Sequence, residues 1–411
     1  MRVVVVGGDG RAHALAHVLS RTADEVLVSG GNAGTPNAVA TPPDELDADL
    51  FVISPEVPLV AGLADRLRAQ GKRVFGPGAD GAQLEGSKGW MKELVARAGV
   101  PSARHGTFSD PGAALDFLRT MSAPYVVKTD GLAAGKGVLV TDSLIEAEDD
   151  VKAKLAGAAF GDAGRTVVIE EGMTGPELSM LAVCDGRRAV PLSPAQDFKR
   201  AHDGDRGPNT GGMGAYSPVP IAGDDLVDLV MDRFVEPVLG TLRADGIDYR
   251  GTLYAGLMLT PDGLKLVEYN VRFGDPESQV VLPRLSSDLV DLLAAAADGD
   301  LGDRQPTFVD NHAVCVVGAA PGYPEAPRTG AIIDALDAAD DLEDVLVFCA
   351  GVARDAEGRL VSAGGRVLNI VGLGPTLAAA RDRAYEGVRR VGFSGMQFRN
   401  DIAARAAKEA T

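Results

Sequence analysis

The sequence is short of several things, and each shortage removes a class of protein. Its 411 residues include only three cysteines, Cys184, Cys315 and Cys349. They lie far apart, with no CxxC or zinc-ligand spacing, so neither a disulfide framework nor a structural zinc site is expected. Basic residues are outnumbered: 40 Lys and Arg face 58 Asp and Glu, a formal net charge of −18. So acidic a surface repels nucleic acid and anionic membranes, although a local basic pocket still suits a phosphate. Apolar runs such as VVVV at 3–6 fall far short of the ~20 residues that span a bilayer. No basic segment followed by an apolar stretch opens the chain, so no secretory signal is read. The histidines show no metal spacing; His13 and His17 are four apart but lack the HExxH glutamate. No GxSxG elbow is present. What remains is an ordinary globular mixture, 45% hydrophobic and 24% charged, with chain enough for about two to four domains. A cytoplasmic, multi-domain protein is expected.

Short β-branched runs alternate with helical patterns from the start. Strands are predicted at 3–6, 26–28, 50–54 and 73–75, with helices near 11–20 and 59–70, which reads as a doubly wound parallel α/β unit. Gly76-Pro77-Gly78 punctuates the chain before a helix over 87–98. A second unit holds strands 125–128, 138–140 and 166–170 with a helix near 143–159. A third holds a helix over 224–242 and strands 251–259 and 264–271. The tail carries strands near 345–348 and 367–371 and a helix near 376–390. The fold class is therefore mixed α/β and α+β. The expected domains are 1–86, 87–298 and 299–411, the last including a C-terminal unit from about 327.

Five segments carry chemistry. The first βα turn, Gly8-Asp9-Gly10-Arg11, places free N–H groups and a cation at a helix N-terminus, an anion site or simply a tight turn. It is no GxGxxG, because His13 stands where the third glycine would. The segment 128–138 sets Lys128 and Lys136 around Gly131, Gly135 and Gly137, a hairpin able to lay N–H groups and an ammonium over phosphates. A strand rather than a helix follows it, so it is no Walker loop. Glu170 and Glu171 end a strand, with Glu177 beyond, either as ligand acceptors or as a solvated face. In the strand EYNVR at 268–272, period-2 alternation puts Glu268, Asn270 and Arg272 on one face. That face offers two oxygens for a hard cation, enough for Mg²⁺ when substrate phosphates supply the rest, beside a guanidinium. The turn Gly274-Asp275-Pro276-Glu277 follows with further acids. Finally the stretch 205–218, including Gly211, Gly212 and Met213, is rich in Gly and Pro but poor in charge, and reads as a loop enclosing substrate.

Taken in order, these segments resemble the phosphoribosylamine–glycine ligases, also called glycinamide ribonucleotide synthetases, within the ATP-grasp enzymes. The carrying motifs are GRAHAL at 10–15, GNAGT at 31–35, PEVPLV at 55–60, QLEGSK at 83–88 and DGLAAGKGV at 130–138. GPNTGGMGAYSP at 207–218, LYAGLM at 253–258, RFGDPE at 272–277 and GGRVL at 364–368 complete the series. The resemblance implies an N-terminal doubly wound domain, an ATP-grasp core whose small lid covers about 122–188, and a C-terminal α+β domain. It implies that ATP, glycine and 5-phosphoribosylamine are the small-molecule partners, with Mg²⁺ or Mn²⁺ as the cation and neither nucleic acid nor membrane involved. A monomer or weak homo-oligomer is expected. By motif position Lys88, Lys128 and Lys136 face the ATP phosphates or adenine, Glu170 and Glu171 lie at the adenine end, and Glu177 holds the ribose hydroxyls. Glu268 and Asn270 match the metal positions, and Arg272 serves the γ-phosphoryl group or the glycine carboxylate. The turn Gly8 to Arg11, Glu56, and Asp197 with Lys199 fall to the phosphoribosylamine pocket.

Four positions depart from the family pattern. Ala12 replaces Glu, Ser54 replaces Gly, Pro176 replaces Glu and Phe198 replaces His. Phe198 removes a proton carrier, so no essential base is assigned there, and Pro176 leaves Glu177 intact. Three rival functions compete. Another ATP-grasp ligase or carboxylase is opposed by the 207–218 and 272–277 motifs. A nicotinamide oxidoreductase leaves 128–138 and 268–272 unexplained. A non-catalytic nucleotide sensor would not need Lys136, Glu268, Asn270 and Arg272 intact.

Overall fold

The computed structural model describes residues 1–132, 137–157, 165–339 and 341–409. The unbroken apolar run at the start does what such runs do: Val3, Val4 and Val5 are fully buried in a parallel sheet covered on both faces. Its strand order is Ala38–Val39, Glu25–Ser29, Arg2–Val6, Leu50–Ile53, Val74–Phe75. The helix expected over 59–70 is two helices, Glu56–Val60 and Leu63–Ala69, because Gly62 between them adopts φ +74°.

Residue types at helix starts fixed several boundaries. Ser87 accepts the Trp90 amide and starts Lys88–Arg97; Ser143 accepts that of Glu146 and starts Leu144–Leu155; Thr376 does the same for Leu377–Arg390. The helix expected over 224–242 runs as Asp224–Val230 and Glu236–Ala244, joined by a π turn over Met231–Val235. Pro237, which brings no N–H, sits at the join.

The lid is a four-stranded antiparallel sheet in the order His105–Phe108, Val167–Glu171, Tyr125–Thr129, Val138–Thr141. Helices Pro111–Leu118 and Leu144–Leu155 close over a small core of its own, which includes Leu118, Val127, Val151 and Ile169. This sheet differs from the expected 122–188 at both ends. It recruits 105–108, and Glu177–Asp185 pairs instead with Arg250–Thr260 in the sheet of the larger half. That second sheet has the order Ala189–Pro191, Glu177–Asp185, Arg250–Thr260, Gly263–Asn270.

A third sheet stitches the core to the tail. Its order is Gln196–Asp197, Gly214–Ser217, His312–Ala319, Arg366–Gly374, Val345–Cys349. Strand 312–319 therefore belongs with the C-terminal strands although it precedes residue 327. The stretch read as a loop over 205–218 is also more ordered than its glycines suggest. Arg206–Asn209 forms a hairpin with Arg200–His202, and Gly214–Ser217 is a strand buried between two neighbours. Long-range pairing overrides local propensity here.

Candidate functional site

A cleft of about 1730 Å³ opens between the lid sheet and the two sheets below it, with the N-terminal helices at one end. Period-2 alternation on the strand Gly263–Asn270 and its extension delivers Glu268, Asn270 and Arg272 to the cleft wall. Tyr269 and Val271, on the opposite face, are buried in the core.

Arg272 is the hub of the N-terminal end. It donates to Glu85 (2.9 Å), to Asn270 Oδ1 (3.1 Å) and to Glu56 (3.3 Å), and these carboxylates raise its pKa against burial. Glu85 also accepts the Val271 amide at 2.8 Å. Burial raises the Glu85 pKa, with Arg272 opposing. Arg11 reaches the same end, donating to the Phe273 carbonyl at 2.8 Å and lying 3.6 Å from Glu56.

At the lid, Lys128 pairs with Glu170 at 2.8 Å and Lys92 grips the other carboxylate oxygen at 2.9 Å. Burial works to raise the Glu170 pKa, but Lys128 and Lys92 outweigh it and bring it down to about 2. Glu171, the next residue, pairs with Lys265 at 3.3 Å at the cleft's edge. Lys88 donates to the Gly131 carbonyl at 2.8 Å, and burial lowers its pKa, with Glu268 opposing.

Opposite the lid, Glu177 pairs with Lys199 at 2.7 Å. Burial works to lower the Lys199 pKa, but Glu177 and Asp197 raise it well above its usual value. Burial pushes Asp197 up to about 8, with Lys199 opposing and Glu277 and Glu177 adding. Glu277, almost fully buried, accepts from Tyr254 at 2.7 Å.

The Glu268 side chain makes no hydrogen bond or ion pair among the described residues. Burial would raise its pKa, but Lys199, Lys128, Lys88 and Arg272 hold it below the usual value. The donor set fits a hard cation shared with a substrate. Glu268 and Asn270 supply two oxygens, and no cluster of three or more His, Cys, Asp or Glu suited to a metal occurs among the described residues.

The cleft thus gathers Arg11, Glu56, Lys88, Lys128, Gly137, Glu170, Glu171, Glu177, Asp197, Lys199, Gly211, Glu268, Asn270 and Arg272, and also Asp275 and Glu277 from the following turn. Gly135 and Lys136 lie outside the described residues. Gly8, Asp9, Gly10, Gly131 and Gly212 do not line the cleft. A Cβ on Gly8 would meet the Gly30 carbonyl at 2.6 Å, and one on Gly10 the Asn369 amide at 2.2 Å. Asp9 caps the helix at Ala12, pairs with Arg11 at 2.6 Å and accepts from Ser54 at 3.2 Å. Met213 faces a separate cavity of about 410 Å³. Phe198, in the place of a family histidine, packs against Tyr216, with Arg399 over its ring.

Family profiles cover most of the chain. Profiles for phosphoribosylglycinamide synthetase match as its N domain over 1–85, its ATP-grasp (A) domain over 86–278 and its C domain over 313–405. A phosphoribosylamine–glycine ligase of Xanthomonas campestris is 48% identical, covering 99% of this chain and 98% of the relative. The chain belongs to the phosphoribosylglycinamide synthetase family. A Streptomyces coelicolor phosphoribosylamine–glycine ligase is also 48% identical, over 99% of this chain and all of the relative. The crystal structure of the Thermotoga maritima phosphoribosylamine–glycine ligase superposes with a TM-score of 0.87 at 36% identity, covering 98% of this chain and 100% of that one. A biotin carboxylase domain from Hydrogenobacter thermophilus, solved with MgADP, shares the fold alone at 15% identity and TM-score 0.74, covering 97% of this chain and 91% of that one.

Three residues in or beneath this cleft escaped the sequence reading. Lys92 sits one helical turn after Lys88 on the same face, a spacing that could have flagged it. Glu85 lies inside the QLEGSK motif. Arg366, in GGRVL, donates to the Gly211 and Asp275 carbonyls at 2.6 and 2.8 Å. It also pairs with the Asp275 carboxylate at 3.2 Å, a partner 91 residues away that no local pattern reveals.

Proposed function

We propose that this chain joins glycine to 5-phosphoribosylamine at the expense of ATP, through glycyl phosphate, giving glycinamide ribonucleotide, ADP and phosphate in an early step of purine synthesis. The observation that carries the reading is one cleft holding Lys88, Lys128, Glu268, Asn270 and Arg272 in a chain 48% identical to a named phosphoribosylamine–glycine ligase.

A carboxylate is a poor electrophile. Its oxygen attacks the γ-phosphorus, ADP departs, and the mixed anhydride then yields to the sugar amine with loss of phosphate. The protein's task is positioning and charge neutralisation. Lys88 and Lys128, with Lys136 by motif, draw the triphosphate into the cleft. Glu268 and Asn270 are the protein ligands for Mg²⁺, and Mn²⁺ suits the same oxygens. Bound there with the nucleotide, the cation neutralises phosphate charge. Arg272, held by Glu56 and Glu85, is oriented towards the transferring phosphoryl group or the glycine carboxylate. Arg11, Glu56, Asp197 and Lys199 are assigned to the sugar-phosphate amine, Glu171 to adenine and Glu177 to ribose. A lid with its own core can close as a unit and exclude water from the acyl phosphate.

Phosphate release from ATP, with one component omitted at a time, tests the reading. The sugar amine is formed in place from ribose 5-phosphate and ammonia. Release that requires both glycine and the sugar amine is expected. Release that requires neither would assign the cleft to another acid or amine.

A further inference from the structure

We infer that Lys92 is a positioning residue for the ATP-binding lysine Lys128, acting through Glu170. Lys92 does not line the cleft; its side chain is fully buried on the helix Lys88–Arg97, beneath the lid. Glu170 lies in the lid strand Val167–Glu171 and is itself 2% exposed. The carboxylate is divided between two ammonium groups, with Lys92 on one oxygen at 2.9 Å and Lys128 on the other at 2.8 Å. Only Lys128 and Glu170 of the three reach the cleft.

Three consequences follow from the charges. Two cations against one anion leave the cluster with one excess positive charge, placed where a triphosphate would lie. Without Lys92 the cluster becomes a neutral Lys128–Glu170 pair with little attraction for phosphate. While Lys92 hydrogen-bonds one oxygen, Lys128 meets the other at 2.8 Å as an ion pair outside hydrogen-bond alignment, so its ammonium protons are not spent on Glu170. With both oxygens free, Glu170 would draw Lys128 back into itself. The contact also crosses from helix to lid, so it fixes where the base of the lid strand stands relative to Lys88, one turn earlier on the same helix face.

The inference rests on the ATP site assigned above, and the experiment separates the two. Binding of ADP with Mg²⁺ is measured by calorimetry on the full-length wild type, Lys92→Met and Lys92→Arg. KM for ATP and kcat follow from the complete reaction, and thermal unfolding is recorded for each. We expect Lys92→Met to weaken ADP binding and raise KM for ATP by about tenfold or more, with kcat changed by less than about threefold. Lys92→Arg restores binding to within about threefold, because the charge rather than the fit carries the effect. Should Lys92→Met not fold, Lys92→Arg and Lys92→Gln give the same comparison. A Lys92→Met protein that unfolds earlier but binds ADP as the wild type does would make Lys92 structural only and overturn the inference. A wild type that binds no ADP would overturn the site assignment instead.

Discussion

Two segments look alike as strings and behave differently in the fold. The first βα turn, 8–11, and the strand end, 268–272, each pack charged residues beside small or polar ones, and each suggests a ligand site. In the turn, only Arg11 reaches the cleft, and Asp9 and the glycines also have structural partners. Asp9 caps a helix and pairs with Arg11, while Gly8 and Gly10 exist to let Gly30 and Asn369 approach. On the strand, the pleat throws Glu268, Asn270 and Arg272 into the cleft, and the Glu268 side chain is left without a protein partner among the described residues. Glycines at a turn report close packing as readily as they report a phosphate; alternating charge on a buried strand has fewer structural uses.

The largest expected effect breaks the strand side. Glu268→Ala should cut kcat/KM by on the order of 10³-fold while the protein stays folded, because a carboxylate with no protein partner leaves no group unpaired when it is removed. The assay is the complete reaction, with near-ultraviolet circular dichroism as the fold control. Retained activity would remove Glu268 from the cation site.

The next effect sharpens the turn side. His13, on the helix that follows the turn, accepts the Cys349 amide at 2.9 Å and so joins the N-terminal domain to the C-terminal sheet. Burial, with His17 adding, lowers its pKa from 6.5 to about 4. The unfolded chain therefore binds the proton more readily. The stability tied to this ring is complete above pH 6.5 and is lost as pH falls towards 4, about 3 kcal/mol at the limit. Urea midpoints across pH 4 to 7 should show that slope in the wild type and a shallower one in His13→Gln.

The smallest effect separates packing from binding. Gly10→Ala should cost about 2 kcal/mol, because the new methyl meets the Asn369 amide. Its KM values should stay within about twofold, since Gly10 does not line the cleft. A large rise in KM for the sugar amine with unchanged stability would return the turn to the binding site.

How much the sequence told follows the same division. The parallel sheet was legible from Val3 to Val6, the helix starts from Ser87, Ser143 and Thr376, and the cleft strand from its alternation. Those signals are local, and each has one main physical cause. The strand over Gly214–Ser217 was not legible, because its partners lie about 20 and 100 residues away. Lys92 and Arg366 were missed for a related reason. A buried cation is defined by the carboxylate that meets it, and Glu170 and Asp275 are 78 and 91 residues distant.

The central claim is that the cleft activates glycine by phosphorylating its carboxylate. The most direct measurement is the reaction run with glycine labelled with ¹⁸O in both carboxylate oxygens, followed by mass analysis of the released phosphate. The account predicts one labelled oxygen in each phosphate, because the bridging oxygen of the mixed anhydride leaves with phosphorus when the amine attacks carbon. Unlabelled phosphate from a reaction that still forms the amide would contradict it.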